Sequence, residues 1–349
     1  MNVVFRVDSS EKIGSGHVMR CLALAKILKD NNSNVIFICR KFKGNLIDKI
    51  RSNGFKVFEL ALCHQNSYRK SSSWLGIAQK QDAEQCLKII KHSIVDWLIV
   101  DHYGIDQEWE KILKAYCSKI MIIDDLADRM HECDLLLDQT FGRKKDDYLK
   151  LVPKQCNLLI GSNFALLREE FSSWREYSLN RRVNFNFQKL FINMGGVDPD
   201  NYTEDVLIGL NKCNFPDNLE VIVVMGPNSP NQHKVTKRGL ISLFKVEVIV
   251  DPKNIAEIMA SCDLAIGASG SSSMERCCLG LPSIQLVTAD NQLLLAKKLT
   301  EMKLIKFIHD VEELPNLLKQ PINWASSLSY HSSKICDGNG ALNVYNNLQ

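Results

Sequence analysis

Residues 8–28, DSSEKIGSGHVMRCLALAKIL, decide how the rest of the chain is read. They follow the apolar run Asn2–Val7, which reads as a first strand, and Gly14 and Gly16 bracket a turn that lets backbone amides face outward. Beyond His17 the residues Val18, Cys21, Leu22, Ala25 and Leu28 fall at the i, i+3, i+4, i+7 spacing of a helix with one buried face. His17 is therefore expected at a helix N-terminus on the carboxyl edge of a strand, the rim where open α/β sheets bind ligands. The spacing is GxGH. It completes neither a dinucleotide fingerprint nor a P-loop, so the turn is compatible with phosphate without specifying it. His17 itself reads in two ways, as a polar residue capping a helix or as an imidazole presented to a ligand.

Strands and helices alternate outward from this turn, the pattern of a parallel sheet. Strands are expected at residues 34–39, 56–60, 97–100, 120–123 and 135–137, with helices at 45–52, 81–92 and 107–116 and a polar break at 71–73. The first, fourth and fifth strands run into Asp8, Asp101 and Asp124, with His102 and Tyr103 just after Asp101. In a parallel sheet these carboxylates gather on the edge that carries His17. Each also reads as the cap of the next helix or turn.

Residues 158–187 have a charged, helix-like middle and a polar end, which places a linker at 178–188 between a domain at 1–177 and a second at 189–320, with a tail at 321–349 that packs back. The second domain repeats the pattern. A strand at 189–193 leads into Gly195-Gly196 and a helix at 202–210, with further strands at 220–225, 246–250, 264–266 and 283–287. Residues 267–282, GASGSSSMERCCLGLP, combine glycine freedom with serine hydroxyls at a helix start, an arrangement that favours an anion such as a diphosphate. Glu275 in the first turn reads as a capping-box carboxylate or as an acceptor for a ribose diol. Asn291 and Gln292 open the next helix at the same rim.

Composition excludes several classes. At 349 residues the chain is longer than the roughly 250–300 over which one core keeps growing, so two domains are expected. The net charge of +3 comes without a basic arm or aromatic–basic alternation, which argues against a nucleic-acid partner. No apolar run approaches the ~20 residues of a membrane span, and no signal-peptide pattern opens the sequence, so a cytoplasmic protein without a membrane partner is expected. Twelve scattered cysteines with no CxxC pair read as packed, reduced thiols.

Taken together, RVDSSEKIGSGHVMRCLALA, IVDHYGID, IDDLADR, IGSNFALLREEF, NMGGVDPDN, GASGSSSMERCCLGLP and the Asn291-Gln292 pair resemble the UDP-2,4-diacetamido-2,4,6-trideoxy-β-L-altropyranose hydrolases of pseudaminic acid biosynthesis, in order from residue 3 to about 295. The resemblance implies an α/β protein of two Rossmann-like domains facing a central cleft, the glycosyltransferase-B architecture, similar to the lipid II glycosyltransferase. It implies a UDP-sugar substrate, water as acceptor, no cofactor and no metal. His17 becomes the expected catalytic base. Ser272, Ser273, Glu275 and Asn291 become UDP contacts, with Gly195 and Gly196 bordering the diphosphate and Gly14 and Gly16 shaping the turn. Asp8, Asp101 and Tyr103 are expected to bind or orient the sugar or the water, with Arg6 and Arg20 as weaker candidates. A monomer is expected. Where the family often carries an arginine after a DGxG near the C-terminus, this chain has Ala341-Leu342-Asn343 after residues 337–340. The competing readings are a glycosyltransferase using a UDP-sugar donor and a non-catalytic nucleotide-sugar binding protein, which would have no use for His17.

Overall fold

A computed structural model describes residues 1–62, 74–215, 218–289, 292–319 and 322–349. The polar break expected at 71–73 and the site residue Asn291 lie outside the described residues. The chain divides into two compact units, Met1–Leu166 with Gly340–Gln349, and Leu167–Asn339.

The first unit is built on seven parallel strands: β1 (Asn2–Val7), β2 (Asn34–Arg40), β3 (Lys56–Leu60), β4 (Trp97–Asp101), β5 (Lys119–Ile123), β6 (Leu135–Asp138) and β7 (Asn157–Ile160). They lie in the order β3-β2-β1-β4-β5-β6-β7. Central strands such as WLIVD of β4 and LLLD of β6 are buried along their whole length, as parallel strands covered by helices on both faces must be. The order reverses between β1 and β4, and at such a switch point the loops leaving two neighbouring strands diverge and leave room for a ligand. Asp8 follows β1 directly, Asp101 ends β4, and Val7 stands opposite Asp101 in the register. The helix Gly16–Asp30 packs Val18, Cys21, Leu24, Ala25 and Leu28 onto the sheet, so the face expected from spacing is the buried one.

The second unit repeats the plan with β8 (Lys189–Asn193), β9 (Glu220–Met225), β10 (Lys245–Val250), β11 (Leu264–Ala268), β12 (Ser283–Leu286) and β13 (Lys306–Phe307), all parallel in the order β10-β9-β8-β11-β12-β13. Its switch point lies between β8 and β11, which lead into the Gly195-Gly196 turn and the loop at 269–271. Among the described residues no helix is long and apolar enough to cross a membrane, and eleven cysteines are free thiols.

The chain passes between units at Leu166–Leu167 and returns at Asn339–Gly340. The helix Glu169–Arg181 packs in the second unit because Arg175, Ser178 and Arg182 reach the carbonyls of Cys278 and Leu279. The last ten residues pack in the first unit. The helix Gly340–Asn346 places Ala341 and Val344 in the core formed with Cys21, Leu24 and Leu28, and Trp97 Nε1 donates to the carbonyl of Leu348 at 2.9 Å. Sequence periodicity did not single out β7, β13 or the helices Gln232–Leu240 and Ala325–Ser332. The two strands are only four and two residues long, and the two helices are rich in polar residues.

Candidate active site

Gly14 sits at φ +80°, in the left-handed region, and its N–H returns to the carbonyl of Ser10 at 2.9 Å. That tight turn ends at Ser15, and the helix starts at Gly16, which puts His17 in the first helical turn. His17 is 7% exposed. Its Nδ1 lies 2.5 Å from Asp101 Oδ1. Arg20, one turn along the same helix, donates from Nε to Asp101 Oδ2 at 2.6 Å and from Nη2 to Oδ1 at 2.7 Å. Its Nη1 reaches Asp125 Oδ2 at 2.8 Å.

Burial acts to raise the Asp101 carboxyl, but the Arg20 guanidinium and then His17 outweigh it and hold the group well below the usual carboxylate range. An ionised Asp101 can only accept, so Nδ1 of the imidazole carries the hydrogen and the lone pair falls on Nε2. The cluster of His17, Arg20, Asp101 and Asp125 joins two carboxylates to one guanidinium and one imidazole.

Tyr103 meets the His17 ring edge-on, with centroids 4.5 Å apart. Asp8 has a different position from the one expected of a sugar contact. It is buried and heavily engaged: Arg6 donates to both oxygens at 2.6 and 2.9 Å, the backbone N–H of Arg40 donates to Oδ1 at 2.6 Å, and His102 Nε2 lies 3.2 Å from Oδ2. Burial raises its carboxyl, and Arg6 followed by His102 overrides this and drives it far below the usual range. Arg6 also grips Asp82 at 3.0 and 2.7 Å, joined there by Arg40 and by Trp109 Nε1. Asp8 thus braces the strand end beneath the site.

His102 completes the contrast. Its Nδ1 accepts from the N–H of Gly104 at 2.9 Å, and burial lowers its affinity for a proton more than Asp8 raises it. Of the two histidines on this edge, His102 accepts from the backbone and His17 is held by a carboxylate. The partnership of Arg6 with Asp8 was open to sequence reading, since positions i and i+2 of a strand share a face. Asp82, Arg40 and Asp125 come from distant elements and carried no such signal.

In the second unit, Gly267 in β11 stands opposite Asn193, where a Cβ would lie 2.6 Å from both the Asn193 carbonyl and Arg276 Nη1, so only glycine lets the strand end approach β8 this closely. Gly195 takes φ +97°, with its N–H 3.3 Å from Asn193 Oδ1, and the Gly196 backbone abuts Gly226. Ser273 is fully buried and points into the loop, donating to Gln285 Oε1 at 2.9 Å and accepting from Arg276 Nη2 at 3.1 Å. Ser272 is partly exposed, with its hydroxyl 3.4 Å from Arg276 Nη1. Glu275 is partly exposed and lies 3.4 Å from Arg168 Nη2.

The residue that sequence reading missed here is Arg276, fully buried under the loop. Its guanidinium meets the Ala268 carbonyl and two serine hydroxyls, with no carboxylate partner among the described residues and Nε without an acceptor. Burial pulls its pKa down to about 10. Arg182, also buried and without a salt bridge among the described residues, is surrounded instead by the carbonyls of Ser178, Leu279, Met259 and Cys262. Arg276 therefore leaves net positive charge beneath residues 267–273, which complements an anion. Its spacing from Ser272 and Ser273, four and three residues along one helix, was the available signal. Among the described residues no group of three or more His, Cys, Asp or Glu side chains is placed to hold a metal ion.

No family model matches the chain. It is 33% identical over 271 residues to the UDP-2,4-diacetamido-2,4,6-trideoxy-β-L-altropyranose hydrolase of Campylobacter jejuni, covering 77% of this chain and 85% of that one. It is 25% identical to the spore coat polysaccharide biosynthesis protein SpsG of Bacillus subtilis, covering 99% and 96% of the two chains. Among solved structures, MurG of Acinetobacter baumannii superposes with a TM-score of 0.69 at 14% identity, covering 100% of this chain and 99% of that one. That likeness shows the fold, two Rossmann-like units of the glycosyltransferase-B type.

Proposed function

The chain belongs to the family of the UDP-2,4-diacetamido-2,4,6-trideoxy-β-L-altropyranose hydrolase, and from that membership we propose that it hydrolyses a UDP-linked 2,4-diacetamido-2,4,6-trideoxy sugar to UDP and the free sugar, a step of pseudaminic acid biosynthesis. The observation that carries the mechanism is the 2.5 Å contact of His17 Nδ1 with an Asp101 carboxylate clamped by Arg20. His17 Nε2 takes a proton from water as the water oxygen bonds to the anomeric carbon. The bond from that carbon to the UDP oxygen breaks, and its electron pair leaves on the β-phosphate. A diphosphate is already a weak base, so its departure needs little help from a general acid.

On this reading the second unit holds UDP. Ser272 and Glu275 are the direct contacts, Glu275 as acceptor for the ribose diol, and the Gly195-Gly196 turn borders the diphosphate. Asn291 is the third direct contact. Ser273 acts from inside, tying Gln285 and Arg276 under the loop. The positive charge at Arg276 supports an anionic ligand there. In the first unit Asp101 orients the base, Asp8 stiffens the strand end and Tyr103 walls the imidazole.

Incubation of the protein with the nucleotide sugar, with no acceptor and with or without EDTA, followed by phosphorus and proton NMR, tests the reading. UDP and free sugar formed in both samples are the expected result. Turnover that waits for an added acceptor sugar identifies a transferase instead, and binding without turnover a non-catalytic protein.

A further inference from the structure

Trp74 is 40% exposed, although Leu75 and Ile77 beside it are fully buried. Tryptophan is enriched at binding surfaces, where one part of the ring is packed and another is wet. Its ring meets Tyr103 edge-on at 5.8 Å between centroids, and Tyr103 in turn meets the His17 imidazole edge-on at 4.5 Å. The approach is fixed by backbone packing. A Cβ on Gly104 would lie 3.1 Å from His102 Cε1 and 3.2 Å from both the backbone N and the Cβ of Leu75, so the chain at 74–75 presses directly on the turn that carries Tyr103. Among the described residues, Trp74 is the exposed large apolar side chain joined by ring contacts to the proposed base.

Around His17, Arg20 is spent on Asp101 and Asp125, and Asp101 on His17 and Arg20, while Asp125 Oδ1 has no partner among the described residues. Beside these groups Tyr103 and Trp74 add aromatic surface. Apolar and aromatic walls with few fixed polar groups are the usual lining of a small-molecule site. A 2,4-diacetamido-2,4,6-trideoxy sugar has an acetamido methyl at C4 and a bare methyl at C6, where an ordinary N-acetylhexosamine carries hydroxyls.

We propose that Trp74 is a specificity-determining residue, an apolar platform for the C4-acetamido and C6-methyl edge of the sugar, which selects the deoxygenated substrate over a hydroxylated one. The proposal rests on the hydrolase reading above. Its test compares wild type, Trp74→Ala and Trp74→Phe by kcat/KM on the UDP-linked diacetamido sugar and by the inhibition constants of UDP-N-acetylglucosamine and of UDP. Trp74→Ala is expected to lose about 10- to 200-fold in kcat/KM, mostly through KM, the range for removing an apolar contact in a specificity site. Inhibition by UDP-N-acetylglucosamine should change much less, inhibition by UDP should not change, and Trp74→Phe should recover most of the loss. Equal weakening of the diacetamido substrate and of UDP-N-acetylglucosamine, or no change in either, overturns the proposal and leaves the hydrolase reading standing. Wild-type protein that releases no UDP from the diacetamido substrate overturns both.

Discussion

His17 Nδ1 and Asp101 Oδ1 lie 2.5 Å apart, joining the first turn of a helix to the end of β4 across 84 residues of sequence. The pair sits at the switch point of the first sheet, where β1 and β4 part. Arg20 keeps the carboxylate ionised, and the ionised carboxylate fixes the tautomer with the hydrogen on Nδ1.

Asp101→Asn tests the second link. An asparagine can turn its NH2 toward Nδ1 and so favour the tautomer with hydrogen on Nε2. Arg20 keeps Asp125 at 2.8 Å, so the fold retains one of its anchors. We expect kcat to fall about 10³- to 10⁴-fold with KM nearly unchanged, by analogy with the orienting carboxylate of serine proteases. A fall of less than tenfold in steady-state assays, in a variant that still melts cooperatively, would show that the carboxylate does not orient the base.

Stability of the first unit depends on pH in two windows with the same sign. Burial holds His102 neutral, below its ordinary value of ~6.5, so the unfolded chain binds the extra proton as pH falls through that value and stability drops. Asp8, Asp82, Asp101 and Asp124 are all depressed, so their contribution is complete above the ordinary carboxylate value of ~4 and is lost as pH falls below it toward their folded values. Urea unfolding of wild type and His102→Asn between pH 4 and 7 separates the two. The variant, whose side-chain oxygen can still accept from Gly104, should show a flatter slope in that range. Parallel slopes would remove His102 from the account.

Replacing Arg276 by methionine removes a buried charge that makes no salt bridge with a carboxylate among the described residues. An apolar side chain of similar length is therefore expected to leave the melting temperature unchanged or raised, since buried ions are costly to desolvate. Affinity for UDP should fall about tenfold, or ~1.4 kcal/mol, while affinity for uridine stays constant. Calorimetric titration of both ligands decides it, and equal losses for uridine and UDP would mean that Arg276 acts only on loop structure.

Deleting residues 340–349 strips Val344 and Leu348 from the core that supports the helix of His17. Burial of two such side chains contributes about 3–6 kcal/mol. Chemical denaturation should show the first unit destabilised by that order, with the second unit little affected. An unchanged midpoint would mean that the tail only covers the surface.

Much of this architecture was legible in the sequence because parallel strands buried on both faces are written as continuous apolar runs, as WLIV and IMII are. The glycine turns were legible too, since positive φ and close approach restrict the choice of residue. Roles within the site were harder to read. Asp8 and Asp101 both end strands, yet one meets two arginines and a structural histidine while the other meets His17, and only the fold brings those partners in. Ser273 reads like Ser272, but the helix turns its hydroxyl inward to Gln285. Trp74 followed a polar run and gave no periodic signal.

The central claim is that His17 removes a proton from water attacking the anomeric carbon. Single-turnover hydrolysis of the UDP-linked diacetamido sugar in heavy-oxygen water, run with wild type and His17→Ala and read by mass spectrometry, tests it most directly. The account predicts that wild type places the label on the free sugar and none in UDP, and that His17→Ala slows the reaction by at least about 10²-fold while still binding UDP. Label in UDP, or a His17→Ala rate within a few-fold of wild type, would contradict it.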